Sequence, residues 1–380
     1  MKDAVAADLL ARARAVLATG RPEMGECESR SPVWRYLDET RHARELVLMR
    51  RHPQAVAPAS ALAKPGSWWS GDVLGVPLLV TRDGGGALHA FLNVCRHRGA
   101  RVVAAGEGCG RERFSCPYHA WTYGADGALV GVPRREAFPD LRPEASGLRR
   151  VAVSQYAGIV WVIPDPDCAG DDVNGRLGTF VDELEGMGFG DHVAYAPRLL
   201  DVRSNWKLVV EGASEAYHVK IAHRDTIAPM FVDNVQIVDE DGLNRRVFFV
   251  KENLRARADT GDVSPRDVGN LLYYFFPSTV VLVQPDHAQV TRLEPLAVNA
   301  TRIVDFALIP EAPSTERART HWDRNVKLYR DTFTEDYAQF EAIQAGLATG
   351  ANDTLRFGRF EFALARFHEQ LDAELAAIAS

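Results

Sequence analysis

Two short stretches, Cys95-Arg96-His97-Arg98-Gly99 and Phe114-Ser115-Cys116-Pro117-Tyr118-His119-Ala120-Trp121, decide how this 380-residue chain is read. As spacing they give C-x-H, eighteen intervening residues, and C-x₂-H. Each loop offers one thiolate and one imidazole. Two cysteines with two histidines suit tetrahedral zinc, or a [2Fe–2S] cluster in which one iron takes both thiolates and the other both imidazoles. The C-x-H arm is shorter than the usual C-x₂₋₄-C arm of a zinc site. Pro117 and the small residues Gly99, Ser115 and Ala120 suit loops that close over an inorganic core, so the cluster is the better fit. Of the other three cysteines, Cys109 lies between the loops and reads as an inert thiol. Five cysteines in all are odd in number and too sparse for a disulfide framework.

Outward from these loops, apolar runs such as Val73–Val80 and Ala87–Leu92 alternate with the turn signals Asp83-Gly84-Gly85-Gly86 and Asp126-Gly127. That pattern predicts a small all-β domain over residues 46–160. Before it, residues 1–45 read as a helical segment packed on the rest, with Val5, Leu9, Ala13 and Val16 at helical spacing. After it, residues 161–380 mix helices (Leu177–Met187, 205–222, 316–347, 354–377) with strands (Arg246–Val250, Leu271–Phe276, Thr279–Gln284, Arg302–Leu308). Strands blocked between helices, without strict alternation, predict an α+β fold. Pro164–Gly175 reads as the linker. A net charge of −7 argues against a nucleic-acid partner. No apolar run reaches the ~18 residues of a membrane span, and acids at Asp3 and Asp8 do not fit a secretory signal. A cytoplasmic protein is expected.

A second constellation lies in Glu215-Ala216-Tyr217-His218-Val219-Lys220-Ile221-Ala222-His223. Five residues apart, the imidazoles of His218 and His223 would point about 140° apart on an ideal helix. Convergence on one metal therefore requires a bend or π-type bulge near Val219–Ala222. Two histidines and one carboxylate on one face leave open positions for O₂ and substrate at ferrous iron. The carboxylate is sought in Phe333–Leu347, where Tyr337, Phe340, Gln344 and Leu347 mark an inward stripe; composition by itself does not single out Asp336.

With both sets in view, the chain resembles the α subunits of Rieske non-haem iron ring-hydroxylating oxygenases. C-R-H-R-G, C-P-Y-H-A-W-T-Y-x₃-G, N-W-K-x₃-E, E-x-Y-H-x₄-H and E-D-x₄-E-x₂-Q-x-G-L follow in the family's order and span nearly the whole chain. The resemblance implies a small all-β [2Fe–2S] domain joined to a helix-grip catalytic domain, an antiparallel sheet with helices. It implies Cys95, His97, Cys116 and His119 as cluster ligands, and His218, His223 and Asp336 as a facial triad on a mononuclear Fe(II), with O₂ as co-substrate. It makes Glu215 the acid bridging His119 of one subunit to His218 of its neighbour in a head-to-tail homotrimer without β subunits. Glu at that position, in place of the Asp of naphthalene-type dioxygenases, is similar to the carnitine and betaine monooxygenase branch. Gly212 departs from the Asn common in the family after the Glu of N-W-K-x₃-E.

The implied reaction is hydroxylation, dihydroxylation or oxidative demethylation of a small organic, expected to be aromatic, substrate. Gly186-x-Gly188-x-Gly190 lacks the strand–G-x-G-x-x-G–helix context of a dinucleotide site, so electrons are expected from a separate NAD(P)H-dependent flavin reductase and/or a ferredoxin. The pocket is sought along Ile227–Val232 and the Leu271–Val283 region, where Tyr273, Tyr274, Phe275 and Phe276 are candidate lining or plain core. Two rival readings are a Rieske electron carrier without oxygenase activity and a zinc-stabilised ligand-binding module.

Overall fold

The computed structural model describes residues 3–257 and 263–378. The first sheet has seven antiparallel strands in the order Gln54–Pro58, Ile159–Ile163, Arg150–Tyr156, Leu88–Leu92, Val76–Arg82, Trp68–Val73, Gly106–Gly108. Ile159–Ile163 is buried at every position and crosses the expected boundary at residue 160 to complete this sheet. Three short strands, Arg113–Ser115, Thr122–Gly124 and Leu129–Gly131, form a separate small sheet behind the second Cys-His loop.

The second large sheet is an antiparallel meander. It runs Phe231–Asp241, Asn244–Lys251, Gly269–Phe275, Thr279–Val283, Ala288–Ala297, Ala300–Ile309, and Val193–Val202 pairs on the far edge. One face packs with the amino-terminal helix Asp3–Thr19 and with Val173–Glu185, sharing Leu9, Ala13, Leu177, Phe180, Ile237, Phe248 and Phe275 in one apolar cluster. The helix Glu316–Leu347 spans 32 residues and starts at Thr315, whose hydroxyl accepts from Ala318 N at 3.1 Å. Its buried stripe includes Tyr329, Asp336, Tyr337, Phe340, Gln344 and Leu347, the period that sets an amphipathic helix on a core.

Two helical expectations need correction, and the choice left open at residues 273–276 is resolved. Residues 354–377 are not continuous helix: Thr354–Phe357 is a strand paired with Ser29–Pro32, and helix begins at Phe362. The helix expected over 205–222 is two pieces, Trp206–Gly212 and Val219–Ala222. Tyr273, Tyr274, Phe275 and Phe276 are core, each at most 2% exposed.

Candidate metal centres and substrate cavity

The two Cys-His loops fold alike. Gly99 N donates to Cys95 O at 2.9 Å and Ala120 N to Cys116 O at 2.9 Å; Cys95 N donates to Ala100 O and Cys116 N to Trp121 O, each at 2.8 Å. Each loop thus turns back four residues after its cysteine, at a left-handed residue: Gly99 (φ 78°) and Ala120 (φ 56°). Both cysteines are buried, while His119 is exposed. His97 stacks on Trp121 (4.8 Å between ring centroids, 7° between planes) and lies 4.7 Å from His119. The Tyr123 hydroxyl sits 3.3 Å from Cys95 Sγ and accepts from Arg96 N at 2.9 Å.

Two thiolates and two imidazoles are the donor set of a two-iron cluster, and these residues fit it. His97 Nδ1 is buried with no hydrogen-bond partner, the kind of atom a metal satisfies.

Among the described residues, His218, His223 and Asp336 bring one ligand atom each within 4.8 Å of one another. Asp336 Oδ1 lies 3.0 Å from His223 Nε2 and 3.5 Å from His218 Nε2. Convergence comes from a break rather than a bulge. The helix ends at Gly212, a single turn Val219–Ala222 follows, and the two histidines flank that turn as its N-cap and C-cap. Each imidazole presents Nε2 inward because a carboxylate holds its Nδ1–H. Glu215 Oε1 pairs with His218 Nδ1, and Glu335 Oε2 accepts from His223 Nδ1 at 2.8 Å. Such partners fix tautomer and ring orientation at metal-binding histidines. Burial lowers the pKa of both imidazoles, but the carboxylates outweigh it and the net direction is upward in the metal-free chain.

Glu335 was not singled out from sequence. The signal was present in the adjacent pair Glu335-Asp336, where one acid points to the Nε2 atoms and the other reaches round to Nδ1. Thr226 Oγ1 fixes Glu335 by donating to Oε2 at 2.7 Å.

Hydrogen bonds of the N-W-K-x₃-E residues hold the site in place. Asn205 caps the helix Trp206–Gly212 by accepting from Lys207 N at 3.0 Å, and its Nδ2 donates to Val298 O at 2.7 Å. Trp206 Nε1 and Lys207 Nζ both donate to the fully buried Glu45, at 2.9 Å and 2.7 Å. Glu211 Oε1 accepts from the Tyr36 hydroxyl at 2.8 Å and lies 2.9 Å from His368 Nε2.

A cavity of about 950 Å³, its mouth included, opens on the triad. Its helical wall carries Leu328, Tyr329, Thr332, Phe333 and Asp336; its sheet wall carries Phe249, Lys251, Asn270, Leu272, Leu282 and Gln284. Ile227, Met230, Phe231 and Val232 lie along one side, as the sequence suggested. Gly212 also borders it, and a side chain there would collide with the Phe340 ring.

Fold and donor sets define an oxidoreductase architecture with two separate metal centres. Residues 52–152 match the Rieske [2Fe-2S] domain, and residues 189–377 match the ring hydroxylating alpha subunit, catalytic domain. Choline monooxygenase from the chloroplast of Spinacia oleracea is 27% identical over 321 residues, covering 81% of this chain and 68% of that protein. The carnitine monooxygenase oxygenase subunit of Acinetobacter baumannii is 27% identical over 306 residues, covering 77% and 78%. The solved structure of a quaternary ammonium Rieske monooxygenase with L-carnitine superposes with a TM-score of 0.77 at 22% identity, covering 93% and 96%. That of naphthalene 1,2-dioxygenase from Rhodococcus sp. gives 0.74 at 18%, covering 97% and 98%. The chain belongs to the Rieske non-haem iron oxygenases, as an α subunit. Its cofactors are a [2Fe–2S] cluster and a mononuclear iron, and O₂ is its co-substrate. No helix among the described residues is long and apolar enough to cross a membrane.

Proposed function

We propose that this chain is the terminal component of a monooxygenase that oxidises a carbon next to the nitrogen of a small quaternary ammonium or N-methylated compound. Cys95, His97, Cys116 and His119 hold the cluster, and His218, His223 and Asp336 the catalytic iron. The observation that carries this assignment is the meeting of two Nε2 atoms with one carboxylate oxygen, each imidazole oriented by its own acid, at the head of the cavity. When bound, the two centres supply electrons and open positions at which O₂ is reduced.

The protein's own share is placement. Glu215 and Glu335 keep the Nδ1 protons and so keep both Nε2 lone pairs aimed inward. The apolar walls exclude water. Tyr329 and Phe333, on the helix face that carries Asp336, offer ring faces to a cationic methyl group. The choline and carnitine relatives favour such a substrate over the aromatic one expected from the sequence. Insertion of one oxygen atom into the C–H bond consumes O₂, two electrons and two protons and releases water.

Glu215 is proposed to reach His119 of a neighbouring copy as well as its own His218; exposure of His119 leaves it free to meet such a partner. A homotrimer and a separate NAD(P)H-dependent reductase, with or without a ferredoxin, complete the system. The test is substrate-dependent O₂ consumption by purified chain plus a flavin reductase, against a panel of N-methylated and aromatic compounds. Coupled formaldehyde or aldehyde release from the ammonium compounds is expected. Coupled hydroxylation of aromatics alone would overturn the substrate proposal, and sustained turnover with NADH and no reductase would overturn the partner.

A further inference from the structure

The sheet wall of the cavity is polarised along its strands. Phe249 pairs with Asn270, and Leu272 with Leu282. Side chains two residues apart share a face, so Lys251 follows Phe249 and Gln284 follows Leu282 on the cavity side, where all six residues are found. Phe249, Leu272 and Leu282 make the apolar stretch. Lys251, Asn270 and Gln284 stand together where the three strands end or begin.

We propose that Lys251, Asn270 and Gln284 form an anion subsite, and that the substrate carries a carboxylate that docks there. This rests on the cavity being the substrate site.

Lys251 is half-buried, and among the described residues its ammonium has no carboxylate at ion-pair distance. Its contact is the Phe231 ring, 5.9 Å away. Asp267 and Asp286 act on it only from farther off, and burial lowers its pKa despite them. Asp286 is already engaged, by His287 Nδ1 at 2.7 Å and His321 Nε2 at 3.2 Å. A partly desolvated ammonium without a counter-ion is costly, and an entering carboxylate removes that cost. Asn270 Oδ1 is buried with no partner; turning the amide presents its two N–H donors to an anion. Gln284 Nε2 gives one proton to His287 Nε2 at 2.9 Å and keeps a second. Across the cavity stand the Tyr329 and Phe333 rings, beside the iron ligands His218, His223 and Asp336. The lining therefore suits a molecule whose cationic end meets the rings and whose anionic end meets the sheet, with the two carboxylate oxygens accepting from the three donors.

The test is anaerobic calorimetric titration of holoenzyme with 4-(trimethylammonio)butanoate, its methyl ester, and the carbon isostere 5,5-dimethylhexanoate. Wild type should bind the acid about tenfold or more tighter than the ester, as for a charge-assisted pair. Lys251→Met should erase that preference, Lys251→Arg should retain most of it, and Asn270→Asp should reverse it toward the ester. Intact cluster absorption and an unchanged melting point verify folding in each variant. Equal binding of acid and ester by wild type, or an acid preference that survives Lys251→Met, overturns the subsite. If the isostere binds as well as the ammonium acid, and only through Lys251, the subsite stands while the ammonium reading falls.

Discussion

Replacing Glu335 by Gln isolates what the second acid does. Its Oε2 accepts from His223 Nδ1 at 2.8 Å and from Thr226 Oγ1 at 2.7 Å, and the side chain is 27% exposed. Gln keeps the shape and an acceptor oxygen but removes the charge that makes the bond charge-assisted and raises the basicity of Nε2. Loss of an outer partner of this kind typically weakens metal binding by about 10–100-fold, or about 1.4–2.7 kcal/mol. Because His223 is 2% exposed, the ring does not swing to water in compensation, and the upper half of that range is expected. The assay is competition for iron against a calibrated chelator, followed on protein whose cluster absorption is unchanged. Glu335→Gln should lose iron affinity within that range and lose oxygenation in proportion, with recovery in excess Fe(II). Unchanged iron affinity, or loss of the cluster along with the iron, would refute the role assigned to Glu335.

Three further outcomes are expected. Tyr123→Phe removes the hydroxyl 3.3 Å from Cys95 Sγ; with a hydrogen bond to the reduced cluster worth about 1 kcal/mol more than to the oxidised one, the potential should fall by about 40 mV, read by spectroelectrochemistry, and an unchanged potential would remove that bond from the account. Gly212→Asn forces the Phe340 ring from its seat and should cost about 1–3 kcal/mol of stability by overpacking; denaturant midpoints at or above wild type would contradict it. Finally, the raised pKa values of His218 and His223 stabilise the metal-free fold below their ordinary value of 6.5, and that contribution fades as pH rises through the folded values. Iron needs both imidazoles neutral, so the gain in melting temperature on adding Fe(II) should grow as pH rises from 6.5 through the raised folded values. A gain independent of pH would show that protons do not compete with the metal at these rings.

Local chemistry carried much of this protein in its sequence. Cysteine and histidine at close spacing name their own chemistry, since few other residues supply soft thiolate and imidazole donors together. The helix Glu316–Leu347 was legible because its apolar stripe, Tyr337, Phe340, Gln344 and Leu347, is local. What depended on distant parts of the chain was not. Thr354–Phe357 is a strand only because Ser29–Pro32 pairs with it, and Val193–Val202 only because it docks beside Ala300–Ile309. Composition did not tell Asp336 from the other helix acids; the order of motifs pointed to it, and the break after Gly212 is what brings His218 and His223 to it. Glu335 and Lys251 were ordinary charges on a helix and a strand end. Burial, the register of three strands and a ring nitrogen at 2.8 Å gave them a site to serve. Donor chemistry resides in residue types and short spacing. Which donors share a point in space is decided by packing across hundreds of residues, and only the folded chain sets it.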